Sequence, residues 1–114
     1  MADLGRRDTK SVVVPNGTAT SGAIQVEGYN AGAVQFPATF EPTTIKFQGA
    51  QGPGDTFVDI EDAAGAAVTN AGVTVSTASA LPVQCFAFRF IKIVGTVGGN
   101  VAADRTLIIH LALN

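Results

Sequence analysis

The chain is poor in charged residues: Asp, Glu, Lys and Arg make up 14% of its 114 residues, whereas about 25% is usual in globular proteins. Seven basic residues against nine acidic ones give a net charge of −2. So few charges, with no basic excess, exclude disorder driven by charge repulsion and a strongly basic nucleic-acid binder. We therefore expect no nucleic-acid partner.

Cysteine and uninterrupted apolar segments are also scarce. Cys85 is the single cysteine, so the fold cannot depend on an intrachain disulfide. The first ten residues are polar and lack the apolar run of a secretory signal. Residues 63–88 carry no charge, but Gly, Pro, Asn and Gln interrupt them too often for a membrane span. We expect a soluble protein made in a cytoplasm, without a membrane partner.

What the chain does contain is a two-residue alternation of apolar side chains, the period of a half-buried β-strand. The alternation is clear at residues 45–48 and 105–113, and turn sequences separate such segments. Combinations of Glu, Lys and Leu that favour helices are missing. Short strands at this spacing predict an all-β fold, an antiparallel β-sandwich of the jelly-roll kind.

Two other segments are predicted to be strands. Residues 86–94 form the most apolar stretch of the chain, and both of their alternating faces are largely apolar. This pattern is typical of a central strand that is covered on both sides. Val73 and Val75 alternate with polar residues and predict a further short strand.

The first ten residues hold five of the sixteen charges, and Leu4 is their only large aliphatic side chain after Met1. We expect residues 1–10 to form a flexible arm, ordered only against a partner, followed by a β-sandwich domain over residues 11–114. The candidate partner-binding residues of this arm are the basic ones, Arg6, Arg7 and Lys10. They would suit an acidic protein surface, and the alternative is a disordered tail without a partner.

Four acidic residues are the candidate metal ligands of the chain: Asp55, Asp59, Glu61 and Asp62. Clustered carboxylates bind hard cations such as Ca²⁺, and Asp59 and Glu61 would point to the same face of a strand. Their spacing does not match the EF-hand loop. The alternative is a solvated strand edge, whose charges discourage pairing with another sheet.

Groups suited to catalysis are few. His110 is the only histidine and would have to serve any nucleophilic triad, but it lies within an apolar strand, where a packed or rim position is expected. No Gly-x-Ser-x-Gly sequence presents a nucleophile. Cys85, beside Phe86, is expected to be a small buried residue and not a reactive thiol. We expect neither enzymatic activity nor a cofactor.

Only eleven charged residues follow Lys10, fewer than the surface of a free monomer usually carries. Protein interfaces are depleted in Lys, Glu and Asp. We therefore expect copies of this chain, or another partner, to cover much of the sandwich.

Several segments resemble small virion proteins of tailed bacteriophages. They are residues 34–40 (VQFPATF), 45–48 (IKFQ), 56–59 (TFVD), 62–65 (DAAG) and 88–93 (FRFIKI). The resemblance implies a non-enzymatic jelly-roll capsid decoration or cement subunit that forms a homo-oligomer. Its partners would be the major capsid protein or other virion proteins, and its place the virion, assembled in the host cytoplasm.

Residues 88–93 are also similar to a strand of galactose-binding-like jelly rolls. Phe88 stands where that family commonly has tryptophan, and Tyr29 is the only tyrosine that could stack on a sugar. This similarity implies an alternative function, a tail or fibre-associated module that binds host-surface glycans. A calcium-binding adhesion module that uses the four acidic residues is a third alternative.

Overall fold

A computed structural model describes residues 5–114 of the chain. Within this range lie nine β-strands and one 3-10 helix (Val83–Ala87). The strands are β1 (Arg6–Val14), β2 (Ile24–Gln25), β3 (Ala31–Gln35), β4 (Thr44–Ala50), β5 (Val58–Asp59), β6 (Thr69–Asn70), β7 (Ala78–Ala80), β8 (Phe90–Val97) and β9 (Arg105–Leu113).

The strands form two antiparallel sheets. Sheet A has the order β1-β9-β3-β7, and sheet B has the order β2-β8-β4-β5, with β6 also paired to β4. The first strand pairs with the last, β2 with β8, β3 with β7, and β4 with β5 and β6. A chain doubled on itself and rolled into two sheets in this way has the jelly-roll topology, so the predicted fold is confirmed.

The core lies between the sheets and consists of the side chains that point inward at every second position of the strands. Its strand residues are Val14, Ile24, Val34, Ile45, Phe47, Ile91, Ile93, Leu107, Ile109 and Leu111, all buried. Loops add Phe36 and Phe40, whose ring centroids are 5.4 Å apart. Strand β9 has the bounds predicted from the sequence, and Leu107, Ile109 and Leu111 share its buried face as expected.

The predicted flexible arm is wrong for residues 6–10. These residues form the first half of β1 and pair with β9, from Arg6 opposite Leu113 to Lys10 opposite Ile109. The expected boundary between residues 10 and 11 therefore falls inside a nine-residue strand. Residues 1–4 of the predicted arm lie outside the described residues.

Two predicted strands also differ from the structure. Strand β8 begins at Phe90, because Val83–Ala87 turn as a 3-10 helix that buries Cys85. Val73 and Val75 lie in the connection between β6 and β7 and not in a strand. Val73 is partly buried against the core, which explains an apolar residue there without a sheet partner.

An ion pair at one end of the sandwich joins the β3–β4 connection to the start of β9. The carboxylate of Glu41, in the β3–β4 connection, accepts hydrogen bonds from Nε (3.1 Å) and Nη2 (2.6 Å) of Arg105. It also accepts one from the backbone N–H of Ala102, in the β8–β9 connection (3.1 Å). The Arg105 hydrogen bonds are the main reason that the pKa of Glu41 is lowered from 4.5 to about 2. No sequence motif predicts this ion pair, because Glu41 and Arg105 are 64 positions apart in the sequence.

We expect this ion pair to make the free energy of unfolding depend on pH between about 2 and 4.5. Because the folded-state pKa of Glu41 is depressed, its contribution is complete above pH 4.5 and is lost as the pH falls toward 2. Glu41→Gln should flatten this part of the curve when the free energy of unfolding is measured by urea titration at a series of pH values. Glu61→Gln changes the net charge equally and serves as the control. Parallel curves for the wild type and Glu41→Gln would contradict the assignment.

Candidate functional site

The outer face of sheet B carries charged side chains that pair with one another. Lys46 Nζ lies 3.0 Å from Asp59 Oδ1, and Gln48 Nε2 donates to the same carboxylate at 3.0 Å. The hydrogen bonds from Gln48 and then Lys46 lower the pKa of Asp59. The Lys92 ammonium lies 4.5 Å from the centroid of the Phe57 ring. This face therefore has the mixed charges that are usual for a surface in contact with water.

The outer face of sheet A is different, and we call it the neutral face. Its outward positions alternate with the buried ones at Val14, Val34, Leu107, Ile109 and Leu111. They are Thr9, Ser11, Val13, Ala31, Ala33, Gln35, Ala78, Ala80, Thr106, Ile108, His110 and Ala112, with Arg7 at one margin. Within residues 5–114, Arg7 is the only charged residue among the outward positions of these four strands.

The middle of the neutral face is occupied by a histidine–glutamine pair. His110 on β9 lies opposite Ala33 on β3, and its Nε2 is 2.9 Å from Gln35 Oε1. His110 is exposed, so it is not packed in the core, the first of the two expected positions. The half-buried Ile108 lies beside Gln35 in the strand register. The neighbouring outward positions on these two strands are the alanines Ala31, Ala33 and Ala112.

The residues of the predicted arm are used within the fold. Arg6 Nη2 donates to the carbonyl oxygen of Gly28 (3.2 Å), and its guanidinium carbon lies 4.7 Å from the centroid of the Tyr29 ring. The Tyr29 hydroxyl donates to Asp8 Oδ2 (3.1 Å). Lys10 Nζ donates to the carbonyl oxygen of Gln25 (2.9 Å). These contacts join β1 of sheet A to β2 of sheet B and to the connection between β2 and β3.

Of the three basic residues of the predicted arm, only Arg7 lies on the outer face of sheet A, away from these contacts. Its Nη1 donates to the side-chain oxygen of Asn114 (3.3 Å). Arg6 and Lys10 have a structural role, because both cations donate to backbone carbonyl oxygens; the prediction that they also bind a partner stays a prediction. These two hydrogen bonds also hold the end of the edge strand β1, whose only strand partner among the described residues is β9.

The four candidate metal ligands do not converge. Asp59 is engaged by Lys46 and Gln48, and Asp62 Oδ1 accepts hydrogen bonds from the backbone N–H groups of Ala64 and Ala66. Asp55 and Glu61 are exposed. Across the part of the chain that the structure describes, no group of three or more His, Cys, Asp or Glu residues could hold a metal ion.

Cys85 is fully buried, and burial raises the pKa of its thiol to about 12. This agrees with the expected small buried residue. No pocket is found among residues 5–114. Over the same range, no helix is long and apolar enough to cross a membrane.

The neutral face was not identified residue by residue from the sequence. The low charge content predicts a surface poor in charge, but the outward alanines of β3 and β7 carry no motif that would place it. Their common location depends on β9 lying between β1 and β3, which is a property of the topology. Comparison of the chain with protein-family models, curated proteins and solved structures finds no match.

Proposed function

We propose that this chain is a non-enzymatic structural protein of a tailed-bacteriophage virion, a capsid decoration or cement subunit that acts as a homo-oligomer. The observation that carries the proposal is the neutral face. Depletion of charge at the centre of a surface is the compositional mark of a protein interface. An assembly subunit has such a surface because other subunits cover it, and the phage-like segments of the sequence suggest which kind of assembly it is.

The mechanism is stabilisation by mass action. A protein that binds the assembled shell, but not its dissociated subunits, stabilises the shell by RT ln(1 + [L]/Kd) for each site, about 2.7 kcal/mol when its free concentration is 100 times Kd. This requires a rigid fold with a broad contact surface and no chemical step. The partners are then the major capsid protein or other virion proteins, and assembly takes place in the host cytoplasm.

The test uses capsids of the phage whose genome encodes the chain, assembled without it. We expect the purified protein to co-sediment with these capsids, to saturate at a fixed number of copies and to raise the temperature at which the capsids open. Capsids that bind no protein under these conditions would overturn the proposal. Labelling of complete particles at the tail, without labelling of the shell, would favour the alternative location on the tail or fibre.

The glycan-binding alternative gains no support from Tyr29. One face of its ring is taken by the Arg6 guanidinium, and its hydroxyl is bonded to Asp8. Tyr29 is also packed against the core, so its ring is poorly placed to stack on a sugar. The dispersed carboxylates likewise give no support to a calcium-binding adhesion module.

A further inference from the structure

The edges of the two sheets differ in how well they are protected. An exposed strand edge presents unpaired backbone groups to which another chain can add, and natural proteins place charges on such edges or cover them. On β1, the Val13 carbonyl oxygen accepts the N–H of Gly22 (3.1 Å), and Lys10 Nζ reaches the Gln25 carbonyl oxygen of β2 (2.9 Å). Strand β5 carries the charge of Asp59. Strand β7, the last strand of sheet A, carries no charge.

The backbone groups of Ala78 and Ala80 form the free edge of β7. The Leu81 N–H donates to the carbonyl oxygen of Gly32 in β3 (2.8 Å). Because the residues that bond across an antiparallel pair alternate along a strand, Ser79 also bonds to β3, and Ala78 and Ala80 direct their N–H and C=O groups to the other side. No strand lies on that side within residues 5–114, and no hydrogen bond among these residues uses the four groups.

The surroundings of β7 are uncharged and partly apolar. Residues 63–88 contain no Asp, Glu, Lys or Arg. Val75, in the connection before β7, is 41% exposed, and Val83, in the 3-10 helix that follows, is 72% exposed. The outward side chains of β7 are exposed alanines, which leave room for larger side chains on a neighbouring strand. A segment that pairs with β7 and continues past its ends therefore meets apolar side chains and no charge.

We propose that β7 binds an extended, uncharged peptide segment of a partner protein, which adds to sheet A as a fifth strand. Strand addition uses main-chain hydrogen bonds for affinity and alternate side chains for specificity. The free N–H and C=O groups of Ala78 and Ala80 alternate along the edge as donors and acceptors, and the backbone of an extended chain matches them. A charged segment would find no counter-ion in this part of the chain.

The length of the edge, three residues, favours a flexible segment over a second copy of this chain. Two copies joined edge to edge would pair only these residues, whereas an extended segment can also follow the chain beyond them. Ala78 and Ala80 offer two backbone groups each, so the segment alone binds weakly, with a Kd on the order of millimolar. The inference does not rest on the proposed function, because it uses the edge of sheet A and not its outer face.

The test titrates the isotope-labelled protein with a synthetic peptide of alternating threonine and valine and follows the amide resonances of the protein by NMR. Alternate residues of the peptide carry N-methyl groups, which leave one of its edges able to pair and prevent it from forming sheets with itself. The control peptide has the same sequence with every backbone nitrogen methylated. We expect the first peptide to shift the resonances of Ala78 and Ala80 to saturation, and the control peptide to shift neither.

Two proline variants of the protein are matched. Ala80→Pro removes an N–H from the free edge, and Ala63→Pro removes one that has no hydrogen-bond partner within residues 5–114, in the turn closed by Gly65 N–H and the Asp62 carbonyl oxygen. Proline is favoured at that position of a turn. Ala80→Pro should raise the Kd at least about threefold, because one hydrogen bond is lost, and Ala63→Pro should leave it unchanged. Circular dichroism checks that both variants are folded.

Three results would overturn the proposal. One is the absence of shifts at Ala78 and Ala80 at peptide concentrations above the expected Kd, and another is equal binding of the fully methylated peptide, which does not depend on either variant being folded. The third is a protein that dimerises in sedimentation velocity and becomes monomeric with Ala80→Pro, since a second copy then occupies the edge. Co-sedimentation with capsids is measured separately, so each of these results leaves the proposed function standing.

Discussion

Removal of residues 1–10 is expected to lower the free energy of unfolding by roughly 3–6 kcal/mol. The deletion takes away five of the nine residue pairs between β1 and β9, and each backbone hydrogen bond contributes about 0.5–1.5 kcal/mol net. It also removes the hydrogen bonds from Arg6 to Gly28, in the β2–β3 connection, and from Lys10 to Gln25, in β2. Since a domain is stable by only about 5–15 kcal/mol, the midpoint of thermal unfolding should fall by about 10 °C or more.

A shorter truncation isolates the cause of this effect. Deletion of residues 1–5 leaves all nine pairs of β1 in place, so the difference between the two truncated proteins reports on residues 6–10 alone. Urea unfolding of both, followed by circular dichroism, gives that difference directly. Equal stability of the two proteins would mean that residues 6–10 behave as the flexible arm expected from the sequence.

Gly98→Ala is expected to lower the free energy of unfolding by about 3 kcal/mol or more. Two costs add in this variant: that of an alanine in left-handed backbone and that of the steric overlap of its Cβ atom. Gly98 has a φ of +105°. A Cβ atom there would overlap the carbonyl oxygen of Glu41 and lie 3.0 Å from the backbone nitrogen of Thr43. Both obstacles are backbone, so neither can turn aside as a flexible side chain could.

The neighbouring glycine provides the matched control. Gly99 has a φ of +85°, but a Cβ added to it meets open space. Gly99→Ala should therefore lower the free energy of unfolding only by the cost of the left-handed backbone, about 1–2 kcal/mol. Thermal unfolding of both variants separates the two causes, and equal losses would show that the β3–β4 connection can move away from Gly98.

The sequence was most informative where one alternating segment was long. Strand β9 has nine residues and a consistent apolar face, so its bounds and its buried side could both be predicted. Short alternations were misleading: Val73 and Val75 share the period of a strand, yet a loop places Val73 against the core. A period of two over three residues cannot distinguish these cases.

The error at the N-terminus has a different physical cause. The charged residues of β1 favour a segment that is surrounded by solvent. In the structure, however, Arg6 and Lys10 donate to acceptors that lie 22 and 15 positions away in the sequence. Those acceptors are main-chain oxygens, which every residue has and which therefore leave no trace in the sequence. Likewise, the composition shows that charges are few, whereas only the strand order shows which surface lacks them.

The pairing of β1 with β9 has a practical consequence for labelling. Gly5 donates its backbone N–H to the carbonyl oxygen of Leu113 (3.1 Å). The first described residue and the end of β9 therefore lie side by side at one edge of sheet A. A fluorophore on one tail and an acceptor dye on the other would report on the closure of the roll. A peptide fused to either tail would be displayed from the same place.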